Sequence, residues 1–163
     1  MKKTIFGFVI LSAISFSCAK KDTTCGYSDS NVTAPASEVA NVQAYLTTNS
    51  ITATQHPSGF FYKINQVGTG QAVVNLCSMV TVKYAGRLTN GTYFDPTTAG
   101  TVSTATFALW QVIVGWQKGV PLISSGGKIT LYIPPSLGYG SAAKGSIPAN
   151  SILIFDIELV SVS

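Results

Sequence analysis

The chain has 163 residues, of which 46% are hydrophobic and only 10% are charged. A chain of this length forms one domain, with room for a short extension. Its formal net charge of +4 includes Lys2 and Lys3 at the amino terminus, so the remainder carries 4 − 2 = +2. Beyond Lys20 and Lys21 the basic residues do not cluster, which excludes a protein that binds nucleic acid through its charge.

Residues 1–17 have the pattern of a secretory signal peptide, with a short positive start and an apolar run too short to span a bilayer. The run ends in a small residue followed by Cys18, which resembles a bacterial lipoprotein processing site, although Phe16 is bulkier than usual there. The resemblance implies that Cys18 carries the lipid and that residues 18–34 form the anchor and a polar tether. The protein would then be exported and anchored to a bacterial membrane, at the periplasmic face or the cell surface. The alternative is an ordinary secreted protein, in which Cys18 is removed or remains a thiol.

Two further cysteines, Cys25 and Cys77, remain once Cys18 is assigned to the anchor. An even pair in an exported chain predicts a disulfide, because that compartment is oxidising; the alternative is two buried free thiols. Two cysteines and one histidine fall short of the four ligands of a zinc site, so no metal is predicted. The histidine, His56, precedes a proline in a polar segment and is expected to be a solvated loop residue.

Residues 35–49 predict a short amphipathic helix within a helical extension that runs over residues 35–56. Proline suits its first turn, and Glu38 favours the positive end of the helix. One face of this helix carries Val39, Val42 and Leu46. That face packs either on the main domain or on a twin in a dimer, which leaves monomer and dimer both open.

From residue 57 onward the pattern changes to short strands with turns between them. The candidate strands are 60–64, 79–88, 92–95, 107–114, 128–133 and 151–160. The last has few polar residues, which predicts a central position in the sheet. Helix is expected only in the extension and near 115–123, where Gly115 is interpreted as a sharp turn before Trp116. An antiparallel sheet with one short helix makes the fold class α+β.

Five motifs stand in a fixed order along this region. They are VKYAG at 82–86, GTYFD at 91–95, VIVGW at 112–116, YG at 139–140, and IP at 147–148 followed by IFDIEL at 154–159. Together they resemble the FKBP-type peptidyl-prolyl cis-trans isomerases over residues 57–163. The resemblance implies a bent five- or six-stranded antiparallel sheet wrapped on a short helix, with a pocket between them. It also implies proline-containing polypeptides as partners and no cofactor.

The resemblance assigns roles to nine residues of the pocket. Catalytic roles fall on Tyr84, Asp95 and Tyr139. Substrate-binding roles fall on Phe94, Val112, Ile113, Trp116, Ile147 and Phe155, with Trp116 as the floor. In the family the backbone N–H of Ile113 holds the substrate carbonyl, and the Tyr139 hydroxyl reaches a neighbouring one. Asp95 either orients Tyr84 or faces the twisted amide, unless it is only a turn residue before Pro96.

The chain departs from the family pattern in one wall of the pocket. Ala105 stands where family members have a second pocket aromatic, and Trp110 replaces a usual glycine. The segment 139–147 lacks the aromatic or histidine that some members have there. These departures motivate an alternative function, a proline-segment-binding or chaperone module with little turnover. A structural surface lipoprotein that merely uses the fold is a third possibility, but it predicts loss of pocket residues that are present.

Overall fold

The computed structural model describes residues 25–95 and 104–163, so the signal-peptide and lipidation predictions, including Cys18, lie outside the described residues. Within these ranges there are two α-helices, α1 (Ala36–Thr48) and α2 (Val114–Gly119). The strands are β1 (Thr54–Gln55), β2 (Phe61–Gln66), β3 (Met79–Leu88), β4 (Ala105–Ala108), β5 (Lys128–Ile133) and β6 (Leu153–Val162). In the described ranges, no helix is both long enough and apolar enough to cross a membrane.

The six strands form one antiparallel sheet in the order β1-β2-β5-β6-β3-β4. β6 lies between β5 and β3, which confirms the central position predicted from its apolar sequence. The α+β class and the six-stranded sheet are likewise confirmed. Residues 92–95 do not form the predicted strand: only Tyr93 makes an isolated bridge, to Arg87.

The inner face of the sheet packs on α2, which supplies Trp116 to the core at 3% exposure. The prediction of a strand up to residue 114 was wrong, because β4 ends at Ala108 and a 3-10 turn, Leu109–Gln111, follows. Gly115 is not a turn residue either, since it lies inside α2. A Cβ at Gly115 would come within 2.7 Å of the Ile133 side chain, so glycine is needed here for close packing of the helix on the sheet.

The outer face of the sheet is covered by α1. Its buried residues Val42 and Leu46 pack with Phe61, Tyr132 and Ile154, so the helix packs on its own domain. The extension is not separate from the sheet, because β1 lies within residues 35–56 and pairs with β2.

The segment before α1 is held against the domain at both ends. Cys25 and Cys77 form a disulfide with a Cα–Cα distance of 5.6 Å. Tyr27 stacks on Trp110 with ring centroids 4.2 Å apart, and the backbone N–H of Ala34 donates to the Ser58 carbonyl at 2.9 Å. From Cys25 onward, the predicted tether therefore follows the surface of the domain.

His56 lies in a loop, as the sequence predicts, but its side chain is partly buried and not fully solvated. Its ring stacks on Phe60 with centroids 4.4 Å apart, and its Nδ1 accepts the backbone N–H of Ser58 at 3.1 Å. Burial, and secondarily the charge of Lys118, lowers the pKa of His56, so the imidazole is neutral at pH 7.

Candidate active site

A pocket of about 330 Å³ opens between the inner face of the sheet and α2. Strands β3, β4 and β6 supply Tyr84, Phe107 and Phe155, and α2 supplies Trp116. The other lining residues come from the turns and loops around the pocket. The lining residues are Tyr84, Phe94, Asp95, Phe107, Gln111, Val112, Ile113, Trp116, Tyr139, Ile147 and Phe155. All nine residues that the resemblance assigned to the pocket are thus brought together.

Aromatic rings form the floor and lower walls of the pocket. Trp116 meets Tyr84 at 5.1 Å and Phe155 at 5.2 Å between ring centroids, with interplanar angles of 87° and 86°. Phe94 in turn meets Phe155 edge-on at 5.5 Å. Edge-to-face packing holds each ring in one orientation, because ring edges are electropositive and ring faces electronegative. The pocket therefore offers a rigid surface poor in hydrogen-bonding groups.

The floor depends on a glycine of β3. A Cβ at Gly86 would lie 2.5 Å from the Phe94 ring and 2.9 Å from the Phe155 ring. Both distances are shorter than atoms tolerate, so a side chain at this position would displace the two aromatic rings.

The polar groups of the pocket lie at its rim. The Tyr84 hydroxyl donates a hydrogen bond to the Asp95 carboxylate. Of the two roles open to Asp95 in the sequence analysis, this contact supports orientation of Tyr84. Tyr139 is 39% exposed, and burial of its hydroxyl, followed by the nearby charge of Asp95, raises its pKa. Tyr139 therefore keeps its proton, and remains a hydrogen-bond donor, throughout the neutral range.

Ile113 supplies the candidate backbone donor. It has extended dihedrals, φ −60° and ψ 151°, directly before the first turn of α2. Within the described residues its N–H donates to no protein acceptor, which leaves it available to a substrate carbonyl.

Sequence reasoning missed two lining residues, Phe107 and Gln111. Ala105 is not among the lining residues, and β4 contributes Phe107 to the pocket, whose ring lies 6.0 Å from Trp116 and 6.1 Å from Tyr84. Ala105 and Phe107 pair with Val82 and Val80 of β3, so they share one face of the strand. That alternation was the signal that could have identified Phe107. The other departure, Trp110, is not among the lining residues and stacks on Tyr27 instead.

Comparison with known proteins agrees with this geometry. Residues 70–160, more than half of the chain, match the family model described as FKBP-type peptidyl-prolyl cis-trans isomerase. The chain is 49% identical over 105 residues to the FKBP-type peptidyl-prolyl cis-trans isomerase FkpA of Buchnera aphidicola subsp. Schizaphis graminum, covering 64% of this chain and 41% of the relative. The chain spans less than half the length of the curated relatives it matches.

Solved structures give the same result. The crystal structure of FkpA from Escherichia coli matches with a TM-score of 0.68 and 37% identity, over 78% of this chain and 60% of that one. The crystal structure of a peptidyl-prolyl cis-trans isomerase from Pseudomonas syringae pv. tomato matches with a TM-score of 0.65 and 28% identity, over 80% of this chain and 97% of that one. The family match, the sheet order and the convergence of the nine pocket residues agree, and this chain belongs to the FKBP-type peptidyl-prolyl cis-trans isomerases.

Proposed function

We propose that this chain catalyses cis-trans isomerisation of X-Pro peptide bonds in exported polypeptides, while anchored to a membrane by lipid on Cys18. The observation that carries the catalytic part is the pocket itself. A rigid aromatic floor centred on Trp116 lies beside a backbone donor, the N–H of Ile113. A proline ring fits an apolar floor of this kind, and the carbonyl before it needs one donor.

The reaction requires no covalent chemistry from the protein. Rotation about a peptide bond crosses a barrier of about 18–20 kcal/mol, and no bond is made or broken. The planar amide is polar because resonance places charge on its oxygen and nitrogen, whereas the twisted transition state has lost that resonance. A water-poor aromatic pocket therefore destabilises the planar form more than the twisted form, which lowers the barrier. A millionfold acceleration corresponds to about 8 kcal/mol.

The polar rim orients the substrate in this mechanism. The Ile113 N–H and the Tyr139 hydroxyl hold substrate carbonyls, so that rotation is confined to one part of the chain. Asp95 acts through Tyr84, because it accepts the hydrogen bond from the Tyr84 hydroxyl and fixes the ring that packs on Trp116.

A binding module with little turnover was the alternative, motivated by Ala105 and Trp110. Neither observation now favours it, because Phe107 supplies an aromatic wall and Trp110 lies against Tyr27. Two assays on the full-length protein separate the functions: isomerisation of a short proline peptide, and refolding of a protein limited by proline isomerisation. A binding module would slow aggregation of the refolding protein without accelerating the peptide.

The disulfide supports export, because such bonds form in oxidising compartments and are rare in the cytosol. The proposal of a lipid anchor rests on the sequence alone. Acyl chains on Cys18 would hold the domain on a membrane, because each buried CH₂ contributes about 0.8 kcal/mol. Replacing Cys18 by Ser should move the protein from the membrane fraction to the soluble exported fraction. Ser17→Ala, which keeps a small residue before the cysteine, is the control. Unchanged fractionation of the Cys18 variant would exclude the anchor and leave the catalytic proposal untouched.

A further inference from the structure

The side chain of Gln117 reaches back from α2 to the turn that precedes this helix. Its Nε2 donates to the Val112 carbonyl at 2.8 Å and to the Trp110 carbonyl at 3.3 Å. One amide group thus spans two carbonyls of the segment that forms the pocket wall. This segment runs from Trp110 to Val112. It contains the lining residues Gln111 and Val112, and the lining residue Ile113 follows it directly.

The contact to Val112 has a specific geometric consequence. The Val112 carbonyl and the Ile113 N–H are the two ends of one planar, trans peptide group, and they point in opposite directions. A donor that fixes the oxygen therefore fixes the direction of the N–H. The same hydrogen bond polarises the peptide group, which makes its N–H a stronger donor.

Backbone hydrogen bonds hold the chain on both sides of this peptide group, but none of those found among the described residues reaches its oxygen. Downstream, the Ile113 carbonyl accepts the N–H groups of Trp116 at 2.9 Å and Gln117 at 3.1 Å. Upstream, the backbone N–H of Leu109 donates to the Ser78 carbonyl at 3.1 Å, and that of Trp110 donates to the Leu76 carbonyl at 2.9 Å. The bond that closes the turn, from the Val112 N–H to the Leu109 carbonyl, is long at 3.4 Å. Among the described residues, Gln117 is the group that holds the Val112 carbonyl.

The geometry points to Gln117 as a positioning residue for prolyl isomerisation: it holds the Val112–Ile113 peptide group so that the Ile113 N–H faces the substrate carbonyl. This inference rests on the proposed function, because it concerns the donor used by that reaction. Gln117 itself lies outside the lining of the pocket and acts through the backbone.

A substitution at Gln117 should not disrupt folding. Its side chain is only partly buried and also lines a second cleft of about 300 Å³, with His56 and Lys118 among its other residues. Replacing Gln117 by Met keeps length and volume but removes both hydrogen bonds. Replacing it by Glu places a carboxylate, which cannot donate, opposite two carbonyl oxygens. Lys118→Met is the matched control, because it alters the next residue of α2 and the same cleft.

The test is made on the full-length protein with a short proline peptide, together with the amide NMR spectrum. Gln117→Met should lower kcat/KM by about three- to tenfold, the range for loss of one or two ordinary hydrogen bonds. Lys118→Met should stay within about twofold of the wild type. The Ile113 amide proton should shift upfield in Gln117→Met, since its peptide group loses polarisation, while amides of β5 and β6 stay in place. Gln117→Glu should be at least as impaired as Gln117→Met at pH 7 to 8.

Equal activity of Gln117→Met and Lys118→Met would overturn the positioning role, and so would lowered activity with an unmoved Ile113 amide. Wild-type activity of Gln117→Glu at neutral pH would also overturn it. A wild-type protein without isomerase activity is a different outcome, because it refutes the proposed function. The Ile113 shift would still report whether Gln117 orients the peptide group.

Discussion

Replacing Trp116 by Leu separates the catalytic contribution of the pocket floor from its contribution to stability. The ring is 3% exposed and makes edge-to-face contacts with Tyr84, Phe107 and Phe155. Leu keeps the floor apolar, but it removes the flat surface on which a proline ring rests. We therefore expect kcat/KM to fall about tenfold, equivalent to about 1.4 kcal/mol of transition-state stabilisation.

The cost in stability should be smaller than the burial of a tryptophan suggests. Losing roughly 70 Å² of buried apolar surface costs about 2 kcal/mol, and losing the ring contacts costs about 2 kcal/mol more. However, the Trp116 Nε1 is buried without a hydrogen-bond partner among the described residues. Removing such a donor raises the free energy of unfolding by about 1–3 kcal/mol and offsets part of this loss. The free energy of unfolding should therefore fall by about 2 kcal/mol.

The chain contains its own control for this experiment, since Trp110 is its only other tryptophan. Trp110 stacks on Tyr27 and does not line the pocket. Trp110→Leu should cost about 1 kcal/mol of unfolding free energy and leave kcat/KM near the wild-type value. Denaturant titration and the proline-peptide assay measure the two quantities. If both tryptophan variants lose activity in proportion to stability, the floor has no specific catalytic role.

Further predictions concern the rim, the floor and the disulfide. Tyr139→Phe removes one hydroxyl and should lower kcat/KM by about two- to tenfold; an unchanged value would remove that residue from the mechanism. The pKa of Tyr139 is raised by burial and by the charge of Asp95, so this donor stays protonated throughout the neutral range. The value of kcat/KM should therefore be flat from about pH 6 to 8, and a bell-shaped profile near pH 7 would indicate acid-base catalysis instead. Gly86→Ala should displace the rings of Phe94 and Phe155 and raise the KM for the peptide. An unaltered KM would show that the pocket does not need glycine at this position. The bond between Cys25 and Cys77 closes a separation of 52 residues, so its reduction should lower the unfolding free energy by about 4 kcal/mol in the loop-entropy model; an unchanged denaturation midpoint would contradict this.

Local sequence patterns predicted the structure correctly where the position of a residue depends on its own strand or helix. The apolar run of β6 predicted a central strand, and the spacing of Val42 and Leu46 predicted the buried face of α1. The pocket residues were predicted from the order of family motifs, because each motif fixes one element around the same cavity.

Predictions from local sequence patterns were wrong or missing where contacts between distant parts of the chain determine the structure. β1 has only two residues and exists because it pairs with β2, so no periodicity could reveal it. The β-branched run before α2 predicted a longer strand, but the chain leaves the sheet just before this run, where the backbone N–H groups of Leu109 and Trp110 donate to the carbonyls of Ser78 and Leu76. Trp110 suggested an altered pocket, whereas its contact is Tyr27, more than eighty residues away in the chain.

The most direct test of the account is the rate of cis-trans exchange of a proline-containing peptide in the presence of the full-length protein, with Trp116→Leu and Trp110→Leu measured beside it. If the aromatic floor lowers the barrier to rotation, the wild type and Trp110→Leu accelerate exchange to a similar degree, and Trp116→Leu is about tenfold less effective. Binding of the peptide to the wild type without faster exchange would contradict it.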